Sequence, residues 1–172
     1  MPELLIPEAN PQWRWFVDER NGRVCLELAE LGFIKTKLNI VNVLDVADVN
    51  RRFSVSDTDT YQYYRELLEK CYFWQEQQFS FVCLINAVAI KQFHKLLPAK
   101  NWYFVKNPMQ PTAGFLFKVK SESDSCESVV LATDGDSVDI MLLDTLTIND
   151  NKQLAQFSAQ RVAINRLFPL DN

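Results

Sequence analysis

The sequence predicts an α+β fold in two parts: an N-terminal part with a β-hairpin and helices around a buried central helix, and a C-terminal β-rich part that forms a small barrel or curled sheet. Three observations carry this. Residues 79–97, FSFVCLINAVAIKQFHKLL, are apolar on every side over their first half and gain a basic face only in their last two turns. A helix that is apolar all round belongs at the centre of a domain. The pair Asn21-Gly22 lies between two alternating runs, which signals a hairpin because both residues tolerate positive φ. Beyond Pro108 and Pro111 the chain becomes a series of short runs parted by polar turns, the pattern of a small barrel or curled sheet.

Composition sets the outer limits. The chain has 172 residues, 48% apolar and 23% charged, which argues against disorder and suffices for one domain or two small ones. A net charge of −4 and a pI near 5.1 disfavour nucleic acid as the main partner. Four glycines leave no long phosphate-binding loop. Cys25, Cys71, Cys83 and Cys126 form no CxxC pair, and His94 is the single histidine, so no metal site is expected. The cysteines read as buried free thiols in a reducing compartment. Residues 1–11 hold two Glu and three Pro and read as a loose leader rather than a signal peptide. With no run of about 18 apolar residues anywhere, a cytoplasmic protein without a membrane span is expected.

The elements follow in order. Trp13 to Asp18 and Arg23 to Glu30 form the hairpin strands, with Phe33 to Ile40 as a possible third. A two-residue turn sets Arg20 opposite Arg23, Val17 opposite Leu26 and Trp15 opposite Leu28. One face then carries Trp13, Trp15, Val17, Val24, Leu26 and Leu28, and the other Arg14, Asp18, Arg23 and Glu27. Residues 41–56 give no clear pattern. Ser56 or Asp57 can cap a helix reaching about Phe73, with Tyr61, Tyr64, Leu67, Leu68 and Cys71 on one stripe. The central helix stops at Pro98, and Trp102 to Val105 reads as a strand. A boundary at Pro108 gives domains 1–107 and 108–172. The second holds strands at Gly114–Lys120, Ser128–Thr133, Ser137–Thr147 and near Lys152–Gln156. It closes with a short helix capped by Ser158, stapled by Phe157 and Val162, and ending near Phe168-Pro169.

Charge placement is the strongest functional signal. Gln77 to Ser121 contains no Asp or Glu but six lysines: Lys91, Lys95, Lys100, Lys106, Lys118 and Lys120. The rest of the chain, with 12 basic and 22 acidic residues, carries −10. An acidic protein with a segregated basic region is suited to meeting an acidic partner. Lys91 and Lys95, four apart, share a helical face, with Lys100 just beyond. A solvated helix end accounts for one or two of these lysines. It accounts less well for an acid-free run of 45 residues.

On a helical wheel Arg166 falls within the apolar arc of Ala159, Val162, Ala163 and Leu167, so it either clamps a carboxylate of its own chain or lines a partner pocket. Leu26 on the apolar hairpin face is core by default. Asn86 reads as a buried amide bonded to backbone. Asp134, Asp136 and Asp139 lack an EF-hand pattern and read as a hairpin turn. His94 has no nucleophile motif beside it to make it a general base.

Three stretches, WRWFVDE, LINAVAIKQFHKLLPAKNWYFV and VAINRLFP, together resemble the ZapC family of Z-ring-associated division proteins. The middle one, with Asn86-Ala87 sixteen residues before Trp102 and a Pro-x-Lys-x-Trp exit, is the most specific. The resemblance implies an adaptor without enzymatic activity or cofactor. It implies binding to the globular core of FtsZ, the tubulin-like division GTPase, and lateral association of its filaments at the Z ring. It also implies an N-terminal α/β domain followed by a C-terminal twisted β-barrel-like domain, usually monomeric, with Lys95 and Lys100 on a basic rim and Leu26 and Arg166 at a neighbouring pocket. Lys91 joins these residues on charge placement alone, and bundling calls for either two binding surfaces on a monomer or a weak self-associator. The competing expectation is a small-molecule enzyme or anion-binding protein using the basic pocket. A third, a nucleic-acid module using lysines with Trp102 and Tyr103, runs against the net charge.

Overall fold

The apolar alternation of residues 13–28 does make a hairpin, and a third strand extends it. In the computed structural model, which describes residues 6–109 and 114–170, β1 (Arg14–Asp18), β2 (Arg23–Glu27) and β3 (Phe33–Asn39) form an antiparallel sheet in that order. The register differs from expectation by two residues: Trp15 pairs with Leu26, Val17 with Val24 and Asp18 with Arg23. The turn takes four residues because Gly22, at φ +70°, donates its N–H to the Asp18 carbonyl at 2.7 Å, while Asp18 Oδ1 accepts from Arg20 N. A two-residue slip leaves every side chain on its face. Trp13, Trp15, Val24, Leu26 and Leu28 are buried as the pattern requires, whereas Val17 is only half-buried.

Against that sheet pack α1 (Val55–Leu68) and the central helix α2 (Gln77–Phe93). The cap of α1 is Ser54 rather than Ser56 or Asp57, because Ser54 and Asp57 satisfy each other's backbone N–H groups in a capping box. The helix also ends sooner than Phe73, and Tyr72–Gln75 form a 3₁₀ turn. α2 buries residues 83–90 without interruption, as its all-round apolar character demands. It ends at Phe93, short of Leu97. There the backbone leaves the helix to pair with residues 42–44: Leu44 N donates to Phe93 O and Lys95 N to Asn42 O. Lys91 is therefore helical and Lys95 is not, and the shared helical face does not form.

Buried polar groups join these layers. Asn86 accepts from Lys37 N of β3 and donates to Val82 O, both at 2.8 Å, the structural role expected of a buried amide. Asp57, fully buried, accepts from Trp15 Nε1 at 2.9 Å, from two nitrogens of Arg51 at 2.6 and 3.1 Å, and from Ser54 N. The Arg51 guanidinium lies 4.9 Å from the Phe93 ring, which stacks edge-on to Trp15. The leader is not loose from Ile6 onward: Ile6 is buried, Tyr61 Oη donates to the Pro7 carbonyl, and Glu8 pairs with Arg65. Residues 1–5, and Pro111, lie outside the described residues.

The chain divides into Met1–Lys95 and Leu96–Asn172 rather than at Pro108. Residues 96–107 join the second unit because their backbone finds partners there. Val105 N donates to Lys120 O, Asn107 N to Asn165 O and Asn107 Nδ2 to Leu167 O. The segment expected as a strand is a 3₁₀ turn, Asn101–Tyr103.

In the second unit β4 (Leu116–Lys120), β5 (Ser125–Asp134), β6 (Ser137–Leu142) and β9 (Ala159–Ala163) form a four-stranded antiparallel sheet in that order, and β7 (Leu146–Asn149) and β8 (Lys152–Leu154) form a ribbon. Mixed α+β architecture stands, but no closed barrel forms among the described residues. The sheet's inner face and the ribbon meet in a core that includes Phe117, Val119, Ile140, Leu146, Leu154 and Val162. Asp134 and Asp136 mark the expected turn between β5 and β6, while Asp139 lies within β6 opposite Ala132. All four cysteines are buried free thiols.

The expected last helix is absent. Residues 159–163 instead pair with β6, with Val162 opposite Val138, and Ile164–Arg166 make a 3₁₀ turn. Ser158 Oγ donates to Ala155 O instead of capping, following Phe157 at φ +64°. A helix of ten residues is marginal without packing, whereas the edge of β6 offers a full ladder to a segment that carries Val162. No helix of the described residues is long and apolar enough to cross a membrane.

Candidate functional site

The five sequence candidates fall in both units. In the first unit Lys91 is exposed on the last turn of α2, and Lys95 is exposed two residues past its end. Lys95 is held by backbone: its N–H is taken by Asn42, and His94 Nδ1 donates to its carbonyl at 2.6 Å. Leu26 is 0% exposed, facing the core from mid-strand β2. A partner resting on the surface cannot touch it, so its contribution is to the packing beneath.

In the second unit the structure brings Lys100 and Arg166 together, although 66 positions separate them in sequence. The link is Asn101, whose Oδ1 accepts from Ala163 N at 2.6 Å and whose carbonyl accepts from Arg166 Nε at 3.4 Å. Lys100 N donates to the Arg161 carbonyl, fastening the same loop to β9. Arg166 also donates to Asn165 Oδ1 at 2.7 Å. Its bonds thus go to an amide and a carbonyl, not to the carboxylate clamp weighed from sequence. The helical wheel that singled it out describes a helix that does not form. Arg161, by contrast, is clamped, with Nε and Nη2 on Asp139 at 2.7 and 3.1 Å.

Sequence reasoning named Trp102 and Tyr103 only for the nucleic-acid reading, and it missed Lys152 as a member of this cluster. The Tyr103 ring has Lys100 Nζ and Lys152 Nζ each 5.9 Å from its centroid. Trp102, its ring tilted against Tyr103 at 5.8 Å between centroids, is 75% exposed. The ribbon β7–β8 brings Lys152 there, and no local pattern announced it. The only available signal was its place in the acid-free tail from Asn151 to Leu170. The cluster is a cationic surface with an aromatic floor and an exposed indole. Such a surface favours carboxylates and an apolar group together. Among the described residues no group of three His, Cys, Asp or Glu is placed to hold a metal ion.

Comparison with known proteins covers the chain from end to end. A family model described as the N-terminal part of the cell-division protein ZapC matches residues 5–95, and one described as its C-terminal part matches residues 96–172. The two matches meet where the backbone itself divides. Among proteins named cell division protein ZapC, that of Pseudoalteromonas translucida is 30% identical over 96% of this chain and 94% of its own length. That of Shewanella woodyi is 28% identical over 99% and 95%, and that of Vibrio vulnificus 25% over 91% and 88%. With both halves matched in order and relatives aligned over nearly their full length, this chain belongs to the ZapC family of cell-division proteins.

Proposed function

We propose that this protein is a cytoplasmic, non-enzymatic adaptor at the division septum that binds the globular core of FtsZ and promotes lateral association of its filaments. Membership of the ZapC family over the whole chain carries the reading. The acid-free run of lysines supports it, since exposed cations on an acidic protein steer it towards an acidic filament. Lys91, Lys95, Lys100 and Arg166 make the contacts, and buried Leu26 contributes only to the packing of the first unit. Bundling then comes from two binding surfaces on a monomer or from weak self-association.

The test is co-sedimentation with polymerised FtsZ in GTP at low and moderate salt. Wild type pellets with filaments, and less so as salt rises. Replacing both Lys95 and Lys100 by Glu lowers apparent affinity about tenfold or more at low salt. Unchanged pelleting of that double variant refutes the lysine assignment, and no pelleting of wild type at either salt refutes the adaptor.

A further inference from the structure

An exposed tryptophan between lysines calls for a reason. Trp102 is 75% exposed, whereas Trp13 and Trp15 of the same chain are buried, and a large aromatic left in water is characteristic of a contact surface. Its neighbours are ordered rather than loose. Asn101 is bonded on one side to Ala163 N and on the other to Arg166 Nε, so the 3₁₀ turn carrying Trp102 is fastened to β9. Tyr103 packs against the core and presents its ring to two ammonium groups. At 5.9 Å each cation–π contact is at the outer limit of its range, so its main effect is to confine two lysine stems that would otherwise sweep freely. Confinement lowers the entropy lost when those lysines meet carboxylates.

We propose that Trp102, Tyr103 and Lys152 complete, with Lys100 and Arg166, a surface that takes a carboxylate-rich protein segment bearing an apolar side chain, which seats on Trp102. The inference rests on the adaptor reading for the identity of the partner but not for its chemistry. Charge complementarity commits the surface to this occupant: neither 77–121 nor 151–170 contains an acid, and both stretches contribute cations here. A nucleic-acid strand could stack a base on the same indole, and an oligonucleotide probe tests it.

Two measurements on the full chain test it. The first is anisotropy with a labelled synthetic peptide of Asp and Glu flanking one Phe, its counterpart with Ser in place of Phe, and a labelled oligothymidylate. Wild type favours the Phe peptide about fivefold, and Trp102→Ala, an exposed site whose loss leaves the core intact, removes that preference. Lys152→Glu weakens both peptides about tenfold, while Lys70→Glu, the same charge change outside the acid-free stretches, changes them less than about twofold. Retained preference in Trp102→Ala, or equal effects of the two reversals, overturns the proposal. So does tighter binding of the oligonucleotide through the same residues. The second is co-sedimentation with polymerised FtsZ. Peptide preference without pelleting sinks the adaptor reading and leaves this surface standing, and pelleting unaffected by Trp102→Ala and Lys152→Glu does the reverse.

Discussion

Replacing Asp57 by Asn tests the polar centre of the first unit. The carboxylate is fully buried and accepts four hydrogen bonds: one from Trp15, two from Arg51 and one from Ser54 N. The amide keeps the shape but offers one acceptor oxygen, and turns its NH₂ towards donors. Removing one partner of a buried ion pair costs about 3–5 kcal/mol, since the other is left buried and uncompensated. Arg51 retains 32% side-chain exposure and can rehydrate in part, which places the cost at the low end, about 3 kcal/mol. Urea unfolding followed by tryptophan emission reads this unit, because Trp13, Trp15 and Trp74 lie in it and only Trp102 lies outside. The midpoint should fall with little change in slope. Adding Arg51→Met should recover part of the loss, giving a coupling of at least about 1 kcal/mol. A loss under about 1 kcal/mol for Asp57→Asn, or strictly additive losses, would refute the account of Asp57 as the shared acceptor that joins hairpin, loop and helix.

Three further outcomes follow from the same structure. Asn86→Leu should destabilise by about 1–3 kcal/mol, because Lys37 N loses its acceptor while the side-chain volume is kept; amide exchange at Lys37 should accelerate with it. Stability should also fall at both pH extremes. Burial raises the Cys126 thiol from 9.0 to about 12, and raises Cys83, Tyr61 and Tyr64 as well. Groups raised on folding contribute fully below their unfolded values and lose that contribution as pH rises, so unfolding in urea should become easier from about pH 9 upward. Backbone N–H bonds, from Arg20 to Asp18 and from Thr147 and Ser125 to Asp124, hold those carboxyls below 3.8, so their contribution is lost as pH falls beneath that value. With DTNB at pH 8, the four thiols should react only after denaturant is added; rapid labelling of the native protein would contradict their burial.

How far the sequence reached depended on the range of the forces involved. The apolar helix at residues 79–93 and the hairpin faces were legible, since periodicity alone demands a buried side for each. The turn length was not, because Gly22 is drawn into a four-residue loop whose carbonyl also accepts from Ile40 N, a partner eighteen positions away. The end of α2 was misplaced for the same kind of reason, since residues 42–44 compete for its last turn.

The sequence by itself determined the mixed α+β class, the core face of the hairpin, the buried central helix and the segregation of basic from acidic residues, all of which are written in local pattern and composition. It also carried the family, through three stretches that resemble it, and the family models match both halves of the chain. Only the tertiary structure decided that residues 159–163 are a strand and not a helix. Their local preference is weak and the open edge of β6 settled it. The same pairing turned Arg166 towards Asn101, and the β7–β8 ribbon brought Lys152 to Tyr103. A cation–aromatic surface assembled from residues 100–103, 152 and 166 has no sequence period, because its spacing is set by chain reversals and not by the repeat of any one element.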